Sequence, residues 1–275
     1  MIFFVLLIPV VSLAANSPGA KEIVRRSVAV TQQDWKEAPN YAFIDREVHG
    51  KHGHVRLPKT YEVLMIDGSP YNKLMAINDV PLSKPQQVIQ ARELAIEINK
   101  RQHESSASRQ RRIARYIRER NQNHRMLTEM VDAFNYSLVG EDTVAGHKVW
   151  VLKATPKPDY VPTNREGKML RRMRGEMWID EATYQWVRVQ ADVVKPVSMY
   201  GFLAKVKPGT RFELQQEPVQ AGLWLPKTFS VRVKATALGL LNESSQEDDV
   251  YHAYEPLSQI MTQLAVKQSP PTPNN

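Results

Sequence analysis

The sequence predicts an α+β fold: an antiparallel sheet with one dry face, helices that cover it, and a long helical insertion between strands. Three observations carry this. Residues 175–192 (GEMWIDEATYQWVRVQAD) read as a β-hairpin with a polar turn at Glu181-Ala182-Thr183. In its second strand Val187, Val189, Ala191 and Val193 face one way, and Trp186, Arg188, Gln190 and Asp192 the other. Alternation of this kind recurs along the chain, and between residues 83 and 134 it gives way to helical spacing.

Composition narrows the setting. The chain has 275 residues, a formal net charge of +8 and no cysteine. Residues 1–15 are apolar and uncharged and end in Ala14-Ala15, the texture of a signal peptide with a small-residue cleavage site. They are too few for a membrane-spanning helix, which needs about 20 apolar residues. The expectation is export to the periplasm, with one domain over residues 16–256 and a disordered tail over 257–275 that ends QSPPTPNN. Without cysteine there is no lipid attachment, disulfide or thiolate metal site. Outside the cytoplasm the positive charge suits an anionic membrane surface or an acidic envelope protein; no nucleic acid partner is expected.

In chain order, Ser17-Pro18 opens a helix whose Ile23, Val24, Val28, Thr31 and Trp35 share one side, ending before Pro39. A meander follows. Strands are expected at 41–48, 60–66 and 71–77, with turns at HGKHGHVRLP, Asp67-Gly68-Ser69-Pro70 and Asn78-Asp79. Ser83 caps a first insertion helix carrying Val88, Ala91, Leu94, Ala95 and Ile98; SSAS at 105–108 separates it from a second, at 109–134. The start of that second helix is strongly basic, a pattern that fits either a solvated face or an anionic membrane surface. Strands resume at 136–141 and 148–155, then a proline-rich loop and a short basic crossing lead to the hairpin. The apolar segment 197–203 is either a tight buried hairpin or a lid over a cavity. Strands at 210–215, 228–237 and 250–254 complete the chain, with a second apolar tip at 238–241.

Catalytic motifs are missing: no G-x-S-x-G, no H-E-x-x-H, no phosphate-binding glycine loop. The protein is expected not to be an enzyme and to need no cofactor. His49, His52 and His54 form the sole histidine cluster, read as a polar hairpin turn; Asp45 and Glu47 read as ordinary strand residues, and no metal site is expected. Asp180 and Glu181 read as solvated acids at a strand end.

The phrase GEMWIDEATYQWVRVQADVV, after an N-terminal helix and a strand meander, resembles the central hairpin of the outer-membrane lipoprotein-sorting carriers, a superfamily that includes the LolA, LolB and RseB types. KTYEVLMIDGSPYNKLMAINDVPLS is similar to the opening meander of exported members. The resemblance implies a strongly curved half-barrel closed by helices, whose concave face takes up acyl chains. The insertion at 83–134 is longer than the cap helices of such a carrier, and no residue matches its lid-gating arginine. On this reading the ligand, a lipid or acylated polypeptide, lies against Tyr61, Val63, Met65, Val187, Val189, Phe212, Leu214, Phe229, Val231 and Val233. Met199, Tyr200, Phe202 and Leu203 form a lid or membrane contact, and Arg109, Arg112, Arg115, Arg171 and Arg172 hold anionic head groups. The alternative is an envelope sensor or scaffold with a filled core, gripping a protein partner through the insertion.

Overall fold

A computed structural model describes residues 18–199, 204–237 and 241–259. The expectations for residues 1–15, for Tyr200, Phe202 and Leu203, for the Met199 side chain, for residues 238–240 and for most of the tail lie outside the described residues. The first half of the chain contains α1 (Ala20–Glu37), β1 (Tyr41–Lys51), β2 (His54–Val55), β3 (Lys59–Ile66), β4 (Ser69–Ile77), β5 (Val80–Pro81), α2 (Lys84–His103) and α3 (Ser106–Ala133). The second contains β6 (Phe134–Val144), β7 (His147–Pro156), α4 (Arg165–Leu170), β8 (Met173–Asp180), β9 (Trp186–Val193), β10 (Val197–Met199), β11 (Ala204–Val206), β12 (Arg211–Gln220), β13 (Leu223–Ala237) and β14 (Leu241–Pro256).

Among the described residues the strands form one antiparallel sheet of 14, in the order β5-β4-β3-β1-β14-β13-β12-β9-β8-β7-β6, with β2, β10 and β11 as side pairings. The sheet is open: β5 and β6 are its two ends. Its tight turns are written in the sequence. Asp67-Gly68, Asn78-Asp79 and Ala145-Gly146 all take positive φ at both turn positions, the hairpin turn that matches strand twist.

The helices join the two ends of the sheet. α1 buries Ile23, Val24, Val28 and Thr31, as the spacing predicts, and adds Ser27 and Asp34. It starts after Gly19, whose carbonyl accepts from the N–H groups of Glu22 and Ile23, two residues later than Ser17-Pro18 suggests. Buried Ser27 Oγ accepts from Trp186 Nε1 at 3.0 Å, tying α1 to the hairpin. The insertion is two helices, as expected. The side chain of Gln86 accepts from the N–H of Ser83 at 2.9 Å at the start of α2, and Ser105 Oγ accepts from the N–H of Ser108 at the start of α3.

Two arginines dock this helix pair on the tip of the β3–β4 hairpin. Arg101, only 6% exposed, donates to the carbonyls of Ile66 and Ser69, each at 2.8 Å, and of Pro70 at 3.2 Å. Arg112 donates to the Asp67 carbonyl at 3.2 Å and to Ser69 Oγ at 2.7 Å. Gly68 lets α3 come close; a Cβ there would meet Ile113 Cδ1 at 3.2 Å, with φ at +85°.

Two readings of the strands change. β9 carries a bulge opposite Trp178 and Ile179, so that Ile179 pairs with Trp186 while Trp178 pairs with Arg188. Trp186 therefore joins the same core cluster as Met177 and packs with Val189, while Val187 turns away to Val149 and Trp224. The last strand is also far longer than residues 250–254. The polar run 245–248 lies between β13 and β1 and is paired with both, while 242–244 pair with β13.

Candidate functional site

Paired residues in a sheet point to the same side, so the register alone traces what lies on the helix-covered face. One cross-strand row runs Leu152, Met177, Val189, Leu214, Phe229, Asp249, Glu47. The adjacent row runs Tyr136, Ala154, Gly175, Ala191, Phe212, Val231, Glu247, His49. Both are apolar from β7 to β13 and then acidic. In the second row Ala154, Gly175 and Ala191 stand side by side, three small residues where the sheet would otherwise fill the space beneath α3.

What that space holds is a cavity of about 520 Å³. Its floor is Met177, Val189, Ala191, Phe212, Leu214 and Phe229; its walls are Thr31, Asp34 and Trp35 of α1, Met126, Leu127 and Met130 of α3, and Met169 and Leu170 of α4. Five of the ten methionines of the chain (Met126, Met130, Met169, Met173 and Met177) line it. Methionine side chains are unbranched and polarizable, and surfaces built from them accommodate apolar ligands of varied shape. Arg120 sits at the rim, its guanidinium 4.0 Å over the Trp35 ring and its Nη2 bonded to the Trp35 carbonyl.

Within this apolar lining, among the described residues, three side chains keep polar atoms without hydrogen-bond partners. Thr31 Oγ1, both carboxylate oxygens of Asp34 and Gln216 Oε1 are buried and make no hydrogen bond. Thr31 and Asp34 lie one turn apart on α1. Burial pushes the Asp34 carboxyl up to about 6; the Gln185 side chain and the Trp224 N–H pull weakly the other way without reaching bonding geometry. Acceptors buried without donors are costly, and a ligand carrying N–H or O–H groups relieves that cost.

Of the residues expected to meet a ligand, Val189, Phe212, Leu214 and Phe229 line the cavity. Val231 continues the second row beyond it, and Val233 follows on the same strand. Tyr61 and Val63 lie farther along the sheet, opposite Asp45 and Phe43, with Met65 at the β3 end against Pro70. Val187 is on the other face, for the bulge given above. Among the arginines, Arg112 is committed to Glu104 and the β3–β4 tip, so it holds the insertion in place and is not free for a head group. Arg109 and Arg115 are exposed on α3; Arg171 and Arg172 are exposed after α4. Asp180 is not a solvated acid: it is 5% exposed and its Oδ1 accepts from the N–H groups of Ala182 and Thr183, building the hairpin turn.

The sequence reading missed the α1 contribution of Asp34 and the methionines of α3, α4 and β8. Asp34 sits on the apolar side of α1 at i+3 from Thr31, and an acid in that position was the available signal.

No family model matches the chain, and no curated protein matches it. Solved structures do. An outer membrane lipoprotein-sorting protein domain from Vibrio parahaemolyticus is 10% identical over 84% of this chain and 92% of that one, with a TM-score of 0.33. A DUF1329 family protein from Desulfovibrio piger is 13% identical over 87% and 94%, TM-score 0.36. A LolA superfamily protein from Nitrosomonas europaea is 10% identical over 87% and 94%, TM-score 0.30. The structural neighbours include the lipoprotein-sorting group that the hairpin resembles. Among the described residues no helix is long and apolar enough to cross a membrane.

Proposed function

We propose that the protein is a binding protein of the cell envelope, without catalytic activity, that holds the acyl chain of a lipid or acylated polypeptide in the cavity between the sheet and α1, α3 and α4. The observation that carries this is the cavity itself: about 520 Å³, within the usual range of roughly 300–1,000 Å³ for ligand sites, and lined by methionine, leucine and aromatic side chains. Burying each CH₂ of a chain there is worth about 0.8 kcal/mol. The unpartnered acceptors on Thr31, Asp34 and Gln216 favour a ligand that brings an N–H donor alongside its chain, as an N-acyl amide does. Arg109, Arg115, Arg171 and Arg172 remain the cations for an anionic head group or membrane surface, and residues 1–15 remain the proposed signal for export.

The contribution of α3 to the wall supports a carrier over a scaffold, because Met126, Leu127 and Met130 face the cavity and are not left for a partner. Uptake of a fluorescent acylated peptide tests the reading. Val189→Asp places a charge on the cavity floor and should abolish uptake. Val231→Lys, on the same sheet face but outside the lining, should leave it within about twofold of the parent, since surface-like changes away from a site cost little. Equal loss in both variants, or in neither, contradicts the assignment.

A further inference from the structure

The two rows that floor the cavity end in a cluster of acids on the β1–β14 seam. His49 pairs with Glu247, Glu47 with Asp249, and Asp45 with Tyr251, all on one face. Ligand atoms of His49, Glu247 and Asp249 all lie within 4.8 Å of one another. Carboxylates directly opposite each other on neighbouring strands repel, and among the described residues no lysine or arginine forms an ion pair with Asp45, Glu47, Glu247 or Asp249. Lys59 stands across from Glu47 in the register, exposed and without a salt bridge to it.

A second observation separates this cluster from an ordinary acidic surface. Asp45 and Asp249 are 9% and 6% exposed, and each keeps a buried carboxylate oxygen with no hydrogen-bond partner. Asp249 has its other oxygen fixed by Tyr251, whose hydroxyl donates to Oδ2 at 3.1 Å, so its open Oδ1 is held in place. A strand seam that concentrates buried, unpaired acids beside an imidazole has a net need for a cation.

We infer that the β1–β14 seam is a divalent cation site, with His49, Glu247 and Asp249 as ligands and Asp45 and Glu47 as the acids behind them. One imidazole with two carboxylates suits a borderline ion such as Zn²⁺ better than Ca²⁺, which takes six to eight oxygen ligands. The site lies on the same face as the cavity, one strand beyond Phe229, hence roughly 5 Å from its edge by strand spacing. Its ion would also brace the central seam of the sheet. The inference does not rest on lipid binding. It regroups the histidines as well: His52 pairs with Glu243 at 3.0 Å, apart from His49.

Isothermal titration of the untagged chain with Zn²⁺, after chelator treatment, tests the site. The expected result is one ion bound per chain, with affinity reduced more than about tenfold in His49→Ala and in Asp249→Asn, a loss at least that of outer-shell changes. His52→Ala and His54→Ala should bind as the parent does. Asp249→Asn removes one repelling charge and should fold, so its thermal midpoint without metal should match or exceed the parent's while the rise on adding Zn²⁺ disappears. Absence of saturable binding at micromolar Zn²⁺ overturns the site. So does binding that survives Asp249→Asn, or that is lost equally in His52→Ala.

Discussion

Asp34 is the residue at which sequence and environment disagree most sharply. It sits 3% exposed on the wall of an apolar cavity, and its carboxyl titrates at about 6 in the folded chain against 3.8 in the unfolded one. Between those two values the native state binds the proton that the unfolded state has lost, so stability falls as pH rises through that window, and the penalty is complete above it. Asp34→Asn removes the penalty. The variant should gain about 3 kcal/mol in urea unfolding near pH 8 and gain nothing near pH 3; a gain of equal size at both pH values would point to packing instead of charge. The same variant should bind an N-acyl amide ligand less well, because a carboxylate acceptor has become an amide.

At the scale of elements, the insertion is both anchor and wall. Its first half is fastened by Arg101 and Arg112 to the β3–β4 tip, and its second half supplies Met126, Leu127 and Met130 to the cavity. Arg101→Met keeps the packed stem but leaves the carbonyls of Ile66, Ser69 and Pro70 without their donor, at a cost of about 2–3 kcal/mol for hydrogen bonds to a charged group. Hydrogen exchange should quicken in α2 and the start of α3 while β7, β8 and β9 keep their protection. Unchanged exchange in α2 would show that other contacts hold the pair. The existence of both helices was legible from period and from the Ser83 cap, whereas Ser105, inside the segment read as a break, proves to be the cap of a helix that starts at Ser106. Their docking was not: Arg101 and Arg112 look like the other basic residues of the run, and only tertiary placement separates a clamp from a solvated charge. The bulge in β9 was equally hidden, since it depends on how Trp178 and Ile179 oppose it, and it moved Val187 off the face that strict alternation assigns.

For the whole molecule, the open antiparallel sheet with its helical cover is the fold expected from alternation, turn residues and the change of period. The apolar part of the helix-covered face was legible as well: Val189, Phe212, Leu214 and Phe229 meet in one cavity although they come from three strands. Two features of that face could not be read from the chain alone. The cavity exists because Ala154, Gly175 and Ala191 fall in one row, a fact of register. The acids of β1 and β14 meet because strands about 200 residues apart in sequence are neighbours, as the non-local pairing of an antiparallel sheet allows. The result is a face with an apolar half under helices and an acidic seam beside it.

The central claim is that the cavity takes up an acyl chain, and native mass spectrometry of the chain gently purified from a bacterial envelope tests it most directly. The account predicts a bound mass that extracts into organic solvent as lipid, or, for protein stripped of ligand, a one-to-one complex with added acylated peptide that Val189→Asp fails to form. A clean unliganded mass, with no uptake of phospholipid or acylated peptide by the parent protein, would contradict it.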